Sequence, residues 1–228
     1  PYLTHAKFFN FKHGRTYVGF FRTIVKTLIQ YLFFTKADFY VFQTQYSQHE
    51  FCKRKKLSIT KTVVIPNAWD AGLTISAKKK EKQIYTIYAP GPGFSHKGLD
   101  LLPRVAMELN NIGCEEFIIY THLSEKSSVW KLFNRNVKKY EVQKNFKNIG
   151  TVPYSNVSKL YANAELILIP SLLETFSATY LEAIQFNKKL IVHNTPFSKE
   201  ICGNYANYSN FFDYELTAKL IENRLRSN

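Results

Sequence analysis

Residues Glu165 to Glu182 read ELILIPSLLETFSATYLE, and this stretch decides the fold class. Leu166, Ile167, Leu168 and Ile169 form an unbroken apolar run, as a strand covered on both faces requires, and Pro170 ends it. From about Ser177 the segment ATYLEAIQF places apolar residues at helical spacing. A buried strand that passes through a short loop into a helix is half of a βαβ unit. Ligands of open α/β sheets bind beyond the carboxyl ends of the strands, where helix N-termini present free N–H groups to anions.

Two carboxylates bracket that helix start. Glu174 precedes it and Glu182 lies two turns inside it. At helical rise their Cα atoms are at most roughly 12 Å apart. That is about the span from ribose to hexose in a nucleotide diphosphate sugar, with the pyrophosphate between them. Paired glutamates near a helix start are also a common way to favour its dipole, so spacing alone does not settle their use.

Strands are expected near 84–89, 115–120, 146–150, 165–169 and 189–193. Helices are expected near 97–110, 127–140, 154–163 and 176–186. Alternation of this kind predicts a parallel sheet. Ahead of it, residues 15–36 carry Tyr17, Phe20, Phe21, Ile24, Leu28, Tyr31 and Leu32 at helical spacing, residues 38–44 read as a strand and 45–57 as a basic helix. Residues 71–82, with the run KKKEK, form the one long polar stretch and are read as an interdomain linker. The expected division is therefore 1–70, a linker at 71–82, and 83–228.

The loop from Gly91 to Gly98, GPGFSHKG, follows the first strand of the second part and opens a helix. Gly93 permits close backbone approach, and Lys97 can set a point charge on a phosphate. The spacing G-x-G-x-x-x-K-G fits neither the dinucleotide fingerprint nor the Walker loop.

PSLLETFSATYLEA resembles the E-x7-E signature of the retaining glycosyltransferases of family 4, usually PS-x-x-E-x-F-G/S-x-x-x-x-E-A. Three further blocks and one turn occur in the order found in that family. VVIPNAWD (63–70) is similar to the segment joining its two domains, and IYAPGPGFSHKGLDLL (87–102) to the first strand, loop and helix of its nucleotide domain. NIGTVPYSNVSKLYANAELILIPS (148–171) is similar to the later strands, and PFSKEICG (196–203) resembles its E-I-x-G turn. The resemblance covers about residues 37–215 and is strongest over 84–203.

It implies the GT-B fold: a Rossmann-like parallel sheet flanked by helices at 83–228, binding a nucleotide-sugar donor, and the last part of an acceptor-side Rossmann-like domain at 1–70. The chain is thus expected to be a fragment, also truncated at its C-terminus. By resemblance, Lys97 contacts the donor diphosphate and Glu182 the ribose hydroxyls, while Glu174 contacts the donor sugar. Gly93 and the backbone around Thr175, Phe176 and Ser177 meet the diphosphate or sugar. Glu174 and Lys97 are the residues expected to act in catalysis, and His5 is a candidate sugar contact. The family usually has an arginine where Pro92 stands; Lys78 to Lys80, or a residue elsewhere, would have to replace it.

No cofactor or metal is expected, because no histidine–carboxylate cluster has ligand spacing and the D-x-D pair of metal-dependent transferases is absent. The implied reaction moves a sugar, with retention, to a glycan or lipid-linked acceptor in cell-surface polysaccharide or lipopolysaccharide synthesis.

Thirty-one basic against seventeen acidic residues leave a net charge of +14, and no acidic residue occurs before Asp38. An anionic partner is expected, with membrane lipid favoured by the interleaved aromatic and basic residues of 15–36. Cys52, Cys114 and Cys202 are scattered and no run of eighteen apolar residues occurs, which suits a reducing cytoplasm and peripheral contact with the inner membrane face. Two alternatives remain open: a sugar-nucleotide epimerase of the same fold, and a non-enzymatic basic module binding nucleic acid or membrane. No nucleic-acid reading motif supports the latter.

Overall fold

A computed structural model describes residues 37–68 and 84–227, together with Val25. The expected linker at 71–82, the aromatic helix at 15–36 apart from Val25, His5 and Lys78 to Lys80 lie outside the described residues. The chain divides into two units, one of Pro1–Asn67 with Leu173–Phe176 and one of Ala68–Leu172 with Ser177–Asn228.

In the first unit, β1 (Tyr40–Phe42) and β2 (Thr62–Val64) pair in parallel with Val41 opposite Val63. Between them runs α1 (Gln45–Lys55), shorter than the 45–57 expected because Lys56 adopts the left-handed conformation that ends it. Thr44 caps its start by accepting from Ser47 N, and Lys53, Arg54 and Lys55 meet the negative end of its dipole. Phe51 packs its ring 5.3 Å from both Tyr40 and Phe42.

The second unit is a six-stranded, wholly parallel sheet. Its strands are β3 (Tyr85–Tyr88), β4 (Phe117–Thr121), β5 (Phe146–Asn148), β6 (Leu166–Ile169), β7 (Lys189–His193) and β8 (Asn207–Ser209). They lie in the order β5-β4-β3-β6-β7-β8. The chain thus steps outward from β3 to β5, returns to the other side of β3 as β6, and steps outward again. The order reverses between β3 and β6, and the carboxyl ends of these two strands bound the crevice in which doubly wound sheets bind ligands.

Helices α2 (Leu102–Asn111), α3 (Ser128–Lys139), α4 (Tyr154–Asn163), α5 (Ala178–Gln185), α6 (Pro196–Cys202) and α7 (Tyr214–Arg226) connect the strands or follow them. All four residues of β6 are buried, as a central parallel strand requires.

Three expectations need correction. The helix expected from 97 begins at Leu102, preceded by 3-10 turns at Ser95–Lys97 and Leu99–Leu101. Gly98 breaks it: its φ is 65°, and a Cβ there would lie 2.4 Å from the carbonyl oxygen of Pro170. PFSKEICG is not a turn but the helix α6, started by a reciprocal capping box between Thr195 and Ser198 and ended at Gly203. Finally, β8 and α7 extend the fold past the last expected strand.

Candidate functional site

Two loops meet at the strand reversal. The loop after β3 passes beside the loop after β6, and Leu172 N donates to His96 O at 2.8 Å. The close approach of Gly98 to Pro170 lies at the same seam. Lys97 is buried, with 8% of its surface exposed, and its Nζ donates to Ser177 Oγ at 3.3 Å. Gly93 is also held tightly, since a Cβ there would come within 2.6 Å of Ser127 Oγ, the hydroxyl that caps α3. A side chain at 93 would therefore disturb the cap of α3 whatever the loop binds.

Ser177 occupies the N-cap position of α5, yet its hydroxyl does not cap the helix. It is engaged by Lys97 and lies 2.8 Å from Thr179 Oγ1. A cation and a helix N-terminus thus converge on one hydroxyl, an arrangement suited to an anion. Ser171, just past β6, is buried with no hydrogen bond to its Oγ among the described residues.

Glu182 lies in α5 with 7% of its surface exposed. Tyr161, on α4, has no exposed surface and donates its hydroxyl to Glu182 Oε2 at 2.8 Å. The same hydroxyl lies 3.4 Å from Thr179 O, and the shorter bond to a charged acceptor takes the single proton. Tyr161 is clamped between Phe186, stacked at 5.5 Å, and the ring of Tyr88, edge-on at 5.2 Å.

Burial pushes the Glu182 carboxyl above its ordinary range, while the Tyr161 hydrogen bond and the Lys97 charge pull it down. Burial first, and the Glu182 charge next, raise the hydroxyls of both Tyr161 and Tyr88. Tyr88 in turn contacts His122, whose Nδ1 lies 3.0 Å from the phenol oxygen and whose ring burial holds below its ordinary pKa.

Glu174 is buried, 4% exposed, in the stretch Leu173–Phe176 that belongs by its contacts to the first unit, where Thr44 Oγ1 lies 3.2 Å from Thr175 O. The structure therefore brings Lys97, Ser177 and Glu182 into one unit with Gly93, and assigns Glu174, Thr175 and Phe176 to the other.

The family description Glycosyl transferases group 1 matches residues 75–226, more than half of the chain. The chain belongs to this family. Its fold is of the GT-B type, as that of its structural neighbours is. A glycosyltransferase from Rickettsia africae superposes with a TM-score of 0.71 at 16% identity, over 81% of this chain and 52% of that one. WaaG, described as involved in lipopolysaccharide biosynthesis, gives 0.68 at 18% identity, over 82% and 53%. Anabaena HepE, solved in complex with UDP and glucose, gives 0.68 at 15%, over 84% and 54%. The chain thus spans about half the length of these solved structures. No curated protein matches it.

For a group 1 transferase domain, the residues that sequence reasoning passed over are Tyr88, His122 and Tyr161. Tyr88 and Tyr161 sit at apolar positions of a strand and a helix and read as core. His122 carried a signal: it directly follows β4, at the carboxyl end of a strand next to the reversal. Among the described residues, no group of three or more His, Cys, Asp or Glu side chains is placed to hold a metal ion, and no helix is long and apolar enough to cross a membrane.

Proposed function

We propose that this chain carries the donor-binding part of a retaining glycosyltransferase, moving a sugar from a nucleotide diphosphate sugar to a glycan or lipid-linked acceptor. The observation that carries the reading is the buried Lys97, held against the N-terminus of α5 by Ser177, about one and a half turns from the buried carboxylate of Glu182. A cation and helix N–H groups suit a diphosphate, and a carboxylate with one oxygen already hydrogen-bonded suits a ribose diol.

In this reading Lys97 stabilises the charge that develops on the leaving diphosphate as the anomeric C–O bond breaks. Glu182 binds ribose, Glu174 binds hydroxyls of the donor sugar, and Gly93 with the backbone of Thr175, Phe176 and Ser177 completes the donor contacts. An oxygen of the leaving phosphate takes the acceptor proton, so neither glutamate acts as nucleophile and no metal is required.

The pathway we favour is cell-surface polysaccharide or lipopolysaccharide assembly, a reading supported by the likeness to WaaG. The excess of 31 basic over 17 acidic residues supports peripheral contact with anionic lipid on the cytoplasmic face.

A thermal-shift panel of UDP, GDP, ADP, CMP and dTDP sugars tests the proposal, with and without chelator. A donor at 100 times its dissociation constant should stabilise the chain by about 2.7 kcal/mol. One responder, unaffected by chelator, is expected. Silence across the panel would reject donor binding, and release of an altered free sugar without acceptor would favour an epimerase.

A further inference from the structure

Along β3 the backbone donors on one side bond in sequence to the neighbouring strand, Tyr85 N to Glu116 O and Ala89 N to Tyr120 O. The next donor in that series is Gly91 N, and the matching acceptor would be the carbonyl of residue 122. Instead Gly91 N donates to the side chain of His122, at Nε2, 3.2 Å away. The imidazole thus replaces a rung of the ladder, so the loop can leave the sheet and stay tethered to it. An acceptor at Nε2 puts the ring proton of the neutral imidazole on Nδ1, which can donate to the Tyr88 hydroxyl 3.0 Å away. Both ring nitrogens are then satisfied and the ring plane is set.

What the tether holds is the course of Lys97. Gly91 lies over the aliphatic stem of that lysine, and a Cβ on Gly91 would be 3.6 Å from Lys97 Cδ and 3.7 Å from Cγ. Beyond the stem, Nζ reaches Ser177. His122, Gly91, the Lys97 stem and Ser177 therefore form one continuous mechanical path from the end of β4 to the start of α5.

We propose that His122 is a positioning residue of the donor site: its neutral ring anchors Gly91 and thereby aims the Lys97 ammonium at the donor diphosphate. The tether stands on geometry alone, and its purpose rests on the reading of Lys97 given above. His122 touches no reacting atom in this account and acts only through Gly91.

Three forms of the 228-residue chain test it: the wild type, His122→Leu and His122→Gln, the last of which keeps an acceptor near the Nε2 position. In the ligand-free wild type, nitrogen NMR of the imidazole should report the Nδ1–H tautomer at pH 7.5. Exchange of the Gly91 amide should quicken by about tenfold in His122→Leu, the loss of one hydrogen bond, and return toward wild type in His122→Gln. Amides of Ile87 and Ile119 should stay unchanged. Titration with inorganic pyrophosphate, which carries the charge without base or sugar, should show affinity about fivefold weaker in His122→Leu and recovered in His122→Gln.

An Nε2–H tautomer, or Gly91 exchange indifferent to the leucine, would overturn the tether. Equal pyrophosphate affinity in all three forms would leave the tether and overturn its purpose. Should the leucine variant fail to fold, the wild-type tautomer and the glutamine variant decide. A wild type that binds neither pyrophosphate nor any panel sugar would sink the donor-site reading instead, while tautomer and exchange still judge the tether.

Discussion

The Tyr161 hydroxyl, wholly buried, donates to Glu182 Oε2 at 2.8 Å, so one oxygen of the buried carboxylate is committed inside the protein. The bond also favours the ionised form of a group that burial alone would drive toward protonation.

Replacing Tyr161 by Phe keeps the ring packed against Phe186 and Tyr88 and removes only that donor. The Glu182 pKa should rise further. Nucleoside diphosphate affinity should fall by on the order of 1 kcal/mol at pH 8, and by more at pH 6 as the carboxyl takes up a proton. Calorimetry at the two pH values checks this, and a loss independent of pH would argue against control of ionisation by Tyr161.

Glu182→Ala should weaken nucleoside diphosphate binding by about 1 to 3 kcal/mol through loss of a charge-assisted hydrogen bond. Glu174→Gln should spare the free nucleoside diphosphate and weaken the intact donor, as the proposed contact of Glu174 with the donor sugar requires. Equal losses for the two ligands in Glu174→Gln would reject that division of labour.

If Lys97 meets the donor diphosphate as proposed, Lys97→Ala should weaken nucleoside diphosphate far more than the corresponding nucleoside, which lacks those phosphates. Comparable effects on both would remove Lys97 from the site.

His193, at the end of β7, accepts from Phe211 N through Nδ1 and lies among the rings of Phe211 and Phe212. Burial lowers its pKa from 6.5 to about 4. The unfolded chain therefore takes up a proton first as pH falls. Stability is full above about pH 6.5 and drops by up to about 3 kcal/mol on the way to pH 4. His122, lowered for the same reason, adds in the same direction. Urea midpoints at pH 7.5, 6 and 4.5 should fall in that order, and His193→Gln should flatten the profile. An unchanged slope in the variant would show that other groups carry the acid sensitivity.

Local patterning made much of this legible. The run Leu166 to Ile169 declared a doubly covered strand because four successive apolar side chains can be buried only with layers on both faces. Thr44, expected to end a strand, and Ser127, expected to open a helix, prove to be helix caps. The turn expected at PFSKEICG failed for a local reason: Thr195 and Ser198 cap each other and turn a short segment into α6. The strand β8 was hidden because Asn207, Tyr208 and Ser209 have no apolar run, and only pairing with β7 makes them a strand. By contrast α7 had an open signal, with Asp213 as cap and Ala218, Ile221 and Leu225 buried at helical spacing.

The sequence by itself determined most of the strands and helices and that the second part is a parallel α/β domain, and its resemblance to a family motif singled out Lys97, Ser177 and Glu182. The elements and the parallel sheet follow from period, turn chemistry and residue type, all of which act over a few residues. Only the tertiary structure decided that β3 and β6 are neighbours, so that residues 80 positions apart, Lys97 and Ser177, share a hydrogen bond. It also decided that Tyr161 serves Glu182 and that His122 holds Gly91. Such pairings depend on the order of strands in a sheet, a long-range choice made by burying both faces at once, and no local pattern in the chain encodes it.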